Sequence, residues 1–263
     1  MKKFILYIGI ALAFYGCEKQ GFDYGDLTKY DNTKALVKIN YASAYPKDPA
    51  VAIKFNGSRV TPLIIGRTPY PGGGYNTNGP SNPDYLMVDP GNLKVDVILP
   101  KKIDDGTDSL ILYSANYTLE GGTPYTLHIA DTAQLTKSVL IPEQFQMPDS
   151  GYARYRFINL MPNVPAIDLY YGQNATSVVG ERLVASNIKY MEIGEYFTIN
   201  RASTRTWKIR AAGADATTIN TVLASYAGTG ALGNQREYTI YAMGYQGNTL
   251  PSGKPYISFL LVR

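Results

Sequence analysis

Cysteine and histidine, two residue types that often carry chemistry, each occur once in this chain of 263 residues, as Cys17 and His128. Zinc sites need several such side chains in a cluster, so the sequence indicates neither a metal nor a cofactor. A Ser-His-Asp triad would have to use His128, and the chain contains no G-x-S-x-G motif. Because Leu127 and Ile129 flank His128 in an alternating segment, we expect His128 on the solvent-facing side of a strand.

Acidic residues offer two further chemistries. The segment DDGTD (104–108) suggests calcium, but it lacks the order of ligands in an EF-hand, and a hairpin turn with solvated acids is the simpler interpretation. Glycoside hydrolysis needs two carboxyl groups across a cleft. The candidates are Asp104, Asp105, Glu192 and Glu195. Nothing in the sequence brings two of them together, so we expect the protein not to be an enzyme.

Cys17 follows a segment with the composition of an export signal, MKKFILYIGIALAFYG. Lys2 and Lys3 precede an uncharged apolar run of eleven residues at 4–14. As a helix this run spans roughly 16 Å, about half of the ~30 Å hydrocarbon core of a bilayer. The run is therefore too short for a transmembrane helix and predicts a signal peptide.

The junction Gly16-Cys17 resembles the processing site of Bacteroidetes-type lipoproteins, although Phe14 and Tyr15 replace the small residues usual before it. The resemblance implies removal of residues 1–16 and lipid attachment at Cys17. An ordinary signal peptide with an incidental cysteine is the alternative, but no second cysteine exists to pair with Cys17. Two or three acyl chains bind a bilayer firmly. We therefore expect the membrane as a partner and the outer membrane as location, with the leaflet undecided.

Residues 17–34 are polar, which is typical of a short tether between the lipid and the first folded part. The net charge falls from +4 to +2 when Lys2 and Lys3 are removed, so the sequence indicates no nucleic-acid partner. Hydrophobic residues make up 45% of the chain and charged residues 17%, a balance that predicts a packed core.

Apolar side chains alternate along the remaining chain, as in ALVKINY and LKVDVIL, which is typical of half-buried strands. The pattern occurs twice: segment 49–57 aligns with 165–173, 85–97 with 196–210, and 124–130 with 237–243. The repeat predicts two modules, 35–148 and 152–263. The predicted fold class is all-β, with two tandem immunoglobulin-like antiparallel β-sandwich modules after the lipoprotein signal peptide and tether.

The segment ARYRFINLMPNVPAIDLYYGQ (153–173) resembles the family called domain of unknown function 4397. A late glycine followed by Tyr-Thr belongs to that pattern and occurs in both modules, as Gly121, Gly122, Tyr125 and Thr126 and as Gly233, Tyr238 and Thr239. These positions are turn glycines and strand tyrosines. The resemblance therefore implies a fold and an extracytoplasmic location, and no particular activity.

The first module inserts RTPYPGGGYNTNGPSNPD (67–84), which the second lacks. Tyrosine with Gly, Asn and Ser is typical of recognition loops, and loops at sandwich ends often bind ligands. The predicted ligand contacts are Tyr70, Tyr75, Asn76, Asn78 and Tyr85. The alternative is an insertion without a function.

The sequence thus predicts a lipid-anchored envelope protein that binds a glycan or a protein partner without catalysis. A structural or assembly subunit of an outer-membrane complex is the alternative, and a glycan hydrolase is a third hypothesis. The triplets DSL (108–110) and DTA (131–133) resemble acceptors of Bacteroidetes O-glycosylation, which makes Ser109 and Thr132 candidate attachment sites. Either triplet is equally compatible with a plain turn.

Overall fold

The alternating segments form strands in the computed structural model, which describes residues 32–44, 49–77, 82–103, 105, 107–201, 206–228 and 232–263. The strands of the first half are β1 Ala35–Tyr41, β2 Ala52–Phe55, β3 Ser58–Arg59, β4 Thr68–Tyr70, β5 Gly74–Tyr75, β6 Leu86–Val88, β7 Gly91–Pro100, β8 Asp108–Leu119, β9 Pro124–Ala130 and β10 Lys137–Pro142. Those of the second half are β11 Tyr152–Asn159, β12 Ala166–Gly172, β13 Arg182–Lys189, β14 Phe197–Asn200, β15 Thr206–Ala211, β16 Ala224–Ala227, β17 Glu237–Met243 and β18 Tyr256–Leu261.

The predicted all-β class is confirmed. The helices in the described ranges are two 3₁₀ turns, Ala133–Leu135 and Ile219–Thr221. Neither they nor any other helix within those ranges has the length and apolar character needed to cross a bilayer.

Two sheets enclose a core in each half. Inner sheet 1 has the order β10-β9-β1-β4, with β6 also on β1, and outer sheet 1 has the order β3-β2-β7-β8. Their facing side chains form one buried cluster that includes Val37, Ile53 and Val95. Inner sheet 2 (β14-β11-β17-β18-β5) and outer sheet 2 (β13-β12-β15-β16) enclose a second cluster around Trp207. Both halves are therefore sandwiches, and the module boundaries 35–148 and 152–263 stay a prediction.

Strand direction differs from the antiparallel prediction at one place in each half. β1 pairs with β9, and β11 with β17, in parallel, whereas the other ladders are antiparallel. A parallel pair needs a long crossover connection. In each half the intervening chain supplies it by passing through the outer sheet before it returns. The two halves are equivalent in register, because Val37 lies opposite Leu86 as Tyr155 lies opposite Phe197.

The two inner sheets pack against each other through their other faces. A third buried cluster joins Ala42 and Ala130 of the first half to Ile158, Tyr241 and Leu260 of the second. Polar groups extend this contact in the described part of the chain. Lys38 Nζ donates to the Leu261 carbonyl at 2.6 Å, and the Glu143 carboxylate accepts from Thr126 Oγ1 at 2.6 Å and from the Arg156 guanidinium.

Burial in this contact shifts the pKa values of Lys38 and Glu143. Burial lowers the pKa of Lys38 to about 7 although Glu143 and Asp84 oppose the shift. Burial raises the pKa of Glu143 above its ordinary value, against the opposing charge of Arg156. The charged forms are disfavoured because the surrounding sheets exclude water.

The prediction for His128 is wrong. Its side chain is 0% exposed, because the face of β9 opposite the core packs against the second half instead of facing solvent. Nδ1 lies 3.0 Å from Asn40 Nδ2. Burial, with a smaller contribution from Arg156, lowers the pKa of His128 to about 3. Alternation located the strand face correctly, but it does not show what covers that face.

Candidate functional site

The described part of the 67–84 insertion joins the two halves. Gly74 and Tyr75 form β5, which pairs with Leu260 and Phe259 of β18 and so extends inner sheet 2 with a strand from the first half. The Tyr75 ring contacts Tyr238 edge to face, with ring centroids 5.7 Å apart. The insertion therefore has a structural role that the sequence analysis did not foresee.

Asn76 holds the insertion to β18 through hydrogen bonds, and we call this contact the bridge. Its Nδ2 donates to the Ile257 carbonyl at 2.6 Å, and its Oδ1 accepts from the Tyr256 hydroxyl. The Asn76 carbonyl accepts from Ser258 Oγ at 2.9 Å. The φ of Asn76 is 57°, in the left-handed region, which asparagine tolerates better than most residues.

The other predicted contact residues lie near the same junction. Tyr70 pairs with Ile39 in the β1–β4 ladder. The Tyr85 hydroxyl donates to the Val262 carbonyl at 3.0 Å, and its ring lies under Lys38 Nζ at 4.5 Å. Burial raises the pKa of Tyr85. Asn78 lies outside the described residues. That these residues contact a ligand stays a prediction.

The remaining predicted sites are dispersed. Ser109 is exposed on β8, and Thr132 is half-buried with its Oγ1 3.4 Å from the Tyr245 hydroxyl. Asp105 is exposed in the connection between β7 and β8, as expected for a hairpin turn. Glu192 and Glu195 are exposed around the segment between β13 and β14. Cys17 and Asp104 lie outside the described residues. The described residues hold no cluster of three potential metal-binding side chains.

A groove formed by two adjoining clefts lies along the edge strand β14. It consists of a cleft of about 500 Å³ and one of about 370 Å³, and Tyr152 and Thr198 line both. The larger cleft adds Tyr171, Gly172, Gln173, Gly180, Arg182, Ile199 and Asn200, and the smaller adds Gln146, Met147, Pro148, Asp149 and Arg154. We call these fourteen residues the Tyr152 groove.

Tyr152 stands at the point where the two clefts meet. Its side chain is 37% exposed, and it lies opposite Asn200 in the β11–β14 ladder. The preceding turn is fixed because Gly151 N donates to Asn234 Oδ1 at 2.7 Å. The Tyr152 carbonyl accepts from Gln235 N at 2.8 Å. The backbone under the ring is thus held on both sides.

One wall of the groove is positioned by a buried ion pair. Arg154 Nη1 donates to Glu237 Oε1 at 2.5 Å and to the Gln144 carbonyl at 2.9 Å. The same Glu237 oxygen accepts from Gln146 N at 2.9 Å. The Arg154 guanidinium also lies 3.5 Å from the ring centre of Tyr196. These contacts compensate the charge of Arg154 and hold the 144–149 segment in place.

The middle of the groove is consequently neutral and polar. Thr198 and Asn200 of β14 are exposed beside Tyr152, and Gln173 is exposed at the end of β12. The exposed charged residues of the groove are Arg182 in the larger cleft and Asp149 in the smaller. An exposed aromatic ring among amide and hydroxyl groups suits a ligand with both an apolar face and many hydroxyls.

The first half has an equivalent cleft with different chemistry. It measures about 430 Å³ and lies between the ends of β2 and β6, as the larger cleft of the Tyr152 groove lies between β12 and β14. The registers of the ladders make Lys34 equivalent to Tyr152 and Asp89 equivalent to Asn200. Lys34 and Asp89 form an ion pair, and Leu86, Met87 and Val88 line this cleft. The first half therefore has no aromatic ring at the position of Tyr152, and the aromatic residue that lines its cleft, Phe55, is only 6% exposed.

The Tyr152 groove could not be predicted from the sequence. Its residues come from five separate segments and share no motif. The repeat offered one usable signal, because Tyr152 replaces a lysine at the position equivalent to Lys34. Only the ladder registers make that equivalence visible.

The strand pattern and the repeated Gly and Tyr-Thr motif also characterise a protein family. The model of the domain of unknown function DUF4397 matches residues 37–170. This chain belongs to the DUF4397 family. The match covers the first half and continues through β11 into β12, so the DUF4397 region includes Tyr152 at the centre of the groove.

Comparisons beyond the DUF4397 family are weak. None of the curated proteins matches the sequence significantly. A candidate cell adhesion protein from Bacteroides uniformis is 7% identical, with 89% of this chain and 98% of that chain covered at a TM-score of 0.24. A candidate adhesin from Bacteroides ovatus is 10% identical, with 85% and 92% covered at a TM-score of 0.22. Likenesses at these TM-scores carry no conclusion about function.

Proposed function

We propose that this DUF4397 protein is a lipid-anchored binding protein of the cell envelope that holds an extended glycan in the Tyr152 groove. The observation that carries the proposal is the exposed Tyr152 ring, placed where two open clefts join and surrounded by amide and hydroxyl groups. The groove continues on both sides of the ring. Its shape therefore suits a chain rather than a single compact molecule.

The chemistry of the groove matches that of a sugar ring. A pyranose presents a C–H-rich face that packs on an aromatic ring, while its hydroxyls point outward to hydrogen-bonding groups. Thr198 and Asn200 flank Tyr152 on β14, and Gln173 lies across the larger cleft. Side chains of this kind, few and polar around one aromatic surface, set the orientation of a ligand.

Binding rather than cleavage is proposed because glycoside hydrolysis uses two facing carboxyl groups. Within the described lining of the groove, Asp149 contributes a single carboxylate, and it lies in the smaller cleft. The predicted candidates Asp105, Glu192 and Glu195 do not line the groove.

A polysaccharide microarray tests this function directly. Purified protein should bind at least one extended polysaccharide, and a Tyr152→Ala variant should lose that binding. Chromatography of the bound polysaccharide after long incubation should show unchanged chain length. Release of shorter chains would contradict a binding role and favour the hydrolase hypothesis.

The membrane anchor is a second part of the proposal. Gly16-Cys17 behind a short apolar run supports acylation of Cys17 and attachment to the outer membrane, in a leaflet that the sequence does not specify. Growth with a fatty-acid probe should label the wild type but not a Cys17→Ala variant. Recovery of unlabelled wild-type protein that retains residues 1–16 would contradict the anchor.

The alternative of a structural or assembly subunit rests on a different feature, the long edge strand β8. This feature is independent of the groove and of its ligand. A protein with either role, or with both, fits an envelope location.

A further inference from the structure

We propose that β8 pairs antiparallel with β8 of a second copy of this chain, which joins two outer sheets into one. β8 is the last strand of outer sheet 1, and among the described residues its strand neighbour is β7 alone. It spans Asp108–Leu119, twelve residues. Its ladder with β7 shifts register at Ser109 and at Leu112, so the regular part of its other edge is 113–119, which presents a row of backbone donors and acceptors for a further strand.

The sequence of β8 lacks the usual protection of an edge strand. Natural edges are kept apart by lysine, proline, short length or bulges, and β8 has register shifts only in its first half, at Ser109 and Leu112. β8 reads DSLILYSANYTL and contains one charged residue, Asp108, whose carboxylate is bound by Lys54 Nζ at 2.6 Å. Leu110 and Ile111 are 54% and 50% exposed. An exposed apolar segment on an open edge favours pairing with another strand.

Among the described residues, the other edge strands are short or carry charges or proline, and β3, β4, β5, β6 and β14 have two to four residues each. β16, which takes the position of β8 in the second half, has four residues. β10 begins with Lys137 and ends with Pro142, and β13 begins with Arg182 and ends with Lys189. At this position of the outer sheet, the first half therefore has a long edge strand, β8, where the second half has a short one, β16.

The composition of β8 favours a second copy as the occupant. In an antiparallel pair related by a two-fold axis, the two Asp108 carboxylates lie at opposite ends, so like charges do not meet. The segment 109–119 is uncharged. In the proposed pair, this segment of one copy lies against the same segment of the other copy. Ser114, Asn116 and Thr118 are exposed on one face, where Ser, Thr and Asn form favourable cross-strand pairs.

Sedimentation of the full chain in detergent micelles tests this pairing. Wild-type protein should sediment as a dimer. A Ser114→Lys/Thr118→Lys variant should sediment as a monomer, because lysines of both copies would face each other. Lysine at 114 lies opposite Asp96, which should preserve the fold, and circular dichroism checks this. Ala227→Lys, at an exposed position of the equivalent strand β16 opposite the neutral Thr206, is the matched control and should remain dimeric.

Cross-linking in native membranes tests the strand itself. Single cysteines at Ser114, Asn116 and Thr118 should include at least one that a short bismaleimide joins to its own copy. Wild type and Ser225→Cys should give no cross-linked dimer. Monomeric wild-type protein at all concentrations would overturn the proposal, as would equal cross-linking at Ser225. A stable complex of β8 with a different protein, without self-association, would overturn it too.

Discussion

Tyr125 and Tyr238 occupy the same position in the two halves, and each hydroxyl accepts a hydrogen bond from the backbone N–H five residues earlier. The donors are Glu120 N at 3.1 Å and Gly233 N at 3.0 Å. Both rings are buried on the parallel strand of their inner sheet. The repeated Tyr-Thr motif therefore fixes the turn that leads into this strand, which explains a structural motif without reference to activity.

Replacing Tyr238 with Phe should lower the free energy of unfolding by about 1–2 kcal/mol, because it removes one hydrogen bond and leaves Gly233 N without that acceptor. Trp207, the only tryptophan and a core residue of the second half, reports unfolding by fluorescence. Tyr170→Phe, which keeps the ring under Arg210, is the control and should change stability by less than about 0.5 kcal/mol. Equal stability of both variants would contradict this role of the hydroxyl.

Asn76→Ala should destabilise the protein by about 2 kcal/mol, because two side-chain hydrogen bonds between the insertion and β18 are lost. Urea unfolding measures the change. Asn92→Ala, on an exposed position of β7, is the control and should be nearly neutral. If Asn76→Ala were as stable as wild type, the bridge would contribute little and the insertion would be free to serve a ligand.

Acid should destabilise the protein in part through His128. Its pKa is lowered from 6.5 to about 3 in the folded state, so the unfolded chain binds a proton more readily between these values. The contribution of the neutral, buried His128 to the free energy of unfolding is therefore fully present above pH 6.5 and is lost as the pH falls towards 3. His128→Gln keeps an acceptor for Asn40 and does not titrate. Unfolding free energies measured across this range should therefore fall less steeply for the variant, by up to a few kcal/mol. Parallel curves would contradict the assignment.

The sequence predicted the strands, the internal repeat and the paired sheets because period-two alternation and turn residues act locally. ALVKINY and YTLHI became β1 and the core of β9 as expected. Their parallel pairing was not predictable, since alternation is the same in either direction. The burial of His128 depends on the second half covering β9, a long-range contact that no local pattern encodes.

The roles of the insertion and of the groove also depend on long-range contacts that no local sequence pattern predicts. Gly74 and Tyr75 read as part of a recognition loop, yet they pair with β18, almost two hundred residues later in the chain. The Tyr152 groove was missed because each of its side chains is ordinary in its own segment. Proximity in space, rather than residue type, makes it a candidate site.

The most direct test of the account measures affinity at the Tyr152 groove. The probe is the oligosaccharide of the best-bound polysaccharide, titrated by calorimetry into wild type, Tyr152→Ala and Met87→Ala, the last of which alters the equivalent cleft of the first half. We predict a loss of affinity of about tenfold or more for Tyr152→Ala, as expected for a central aromatic contact, and unchanged affinity for Met87→Ala. Equal affinity of wild type and Tyr152→Ala would contradict it.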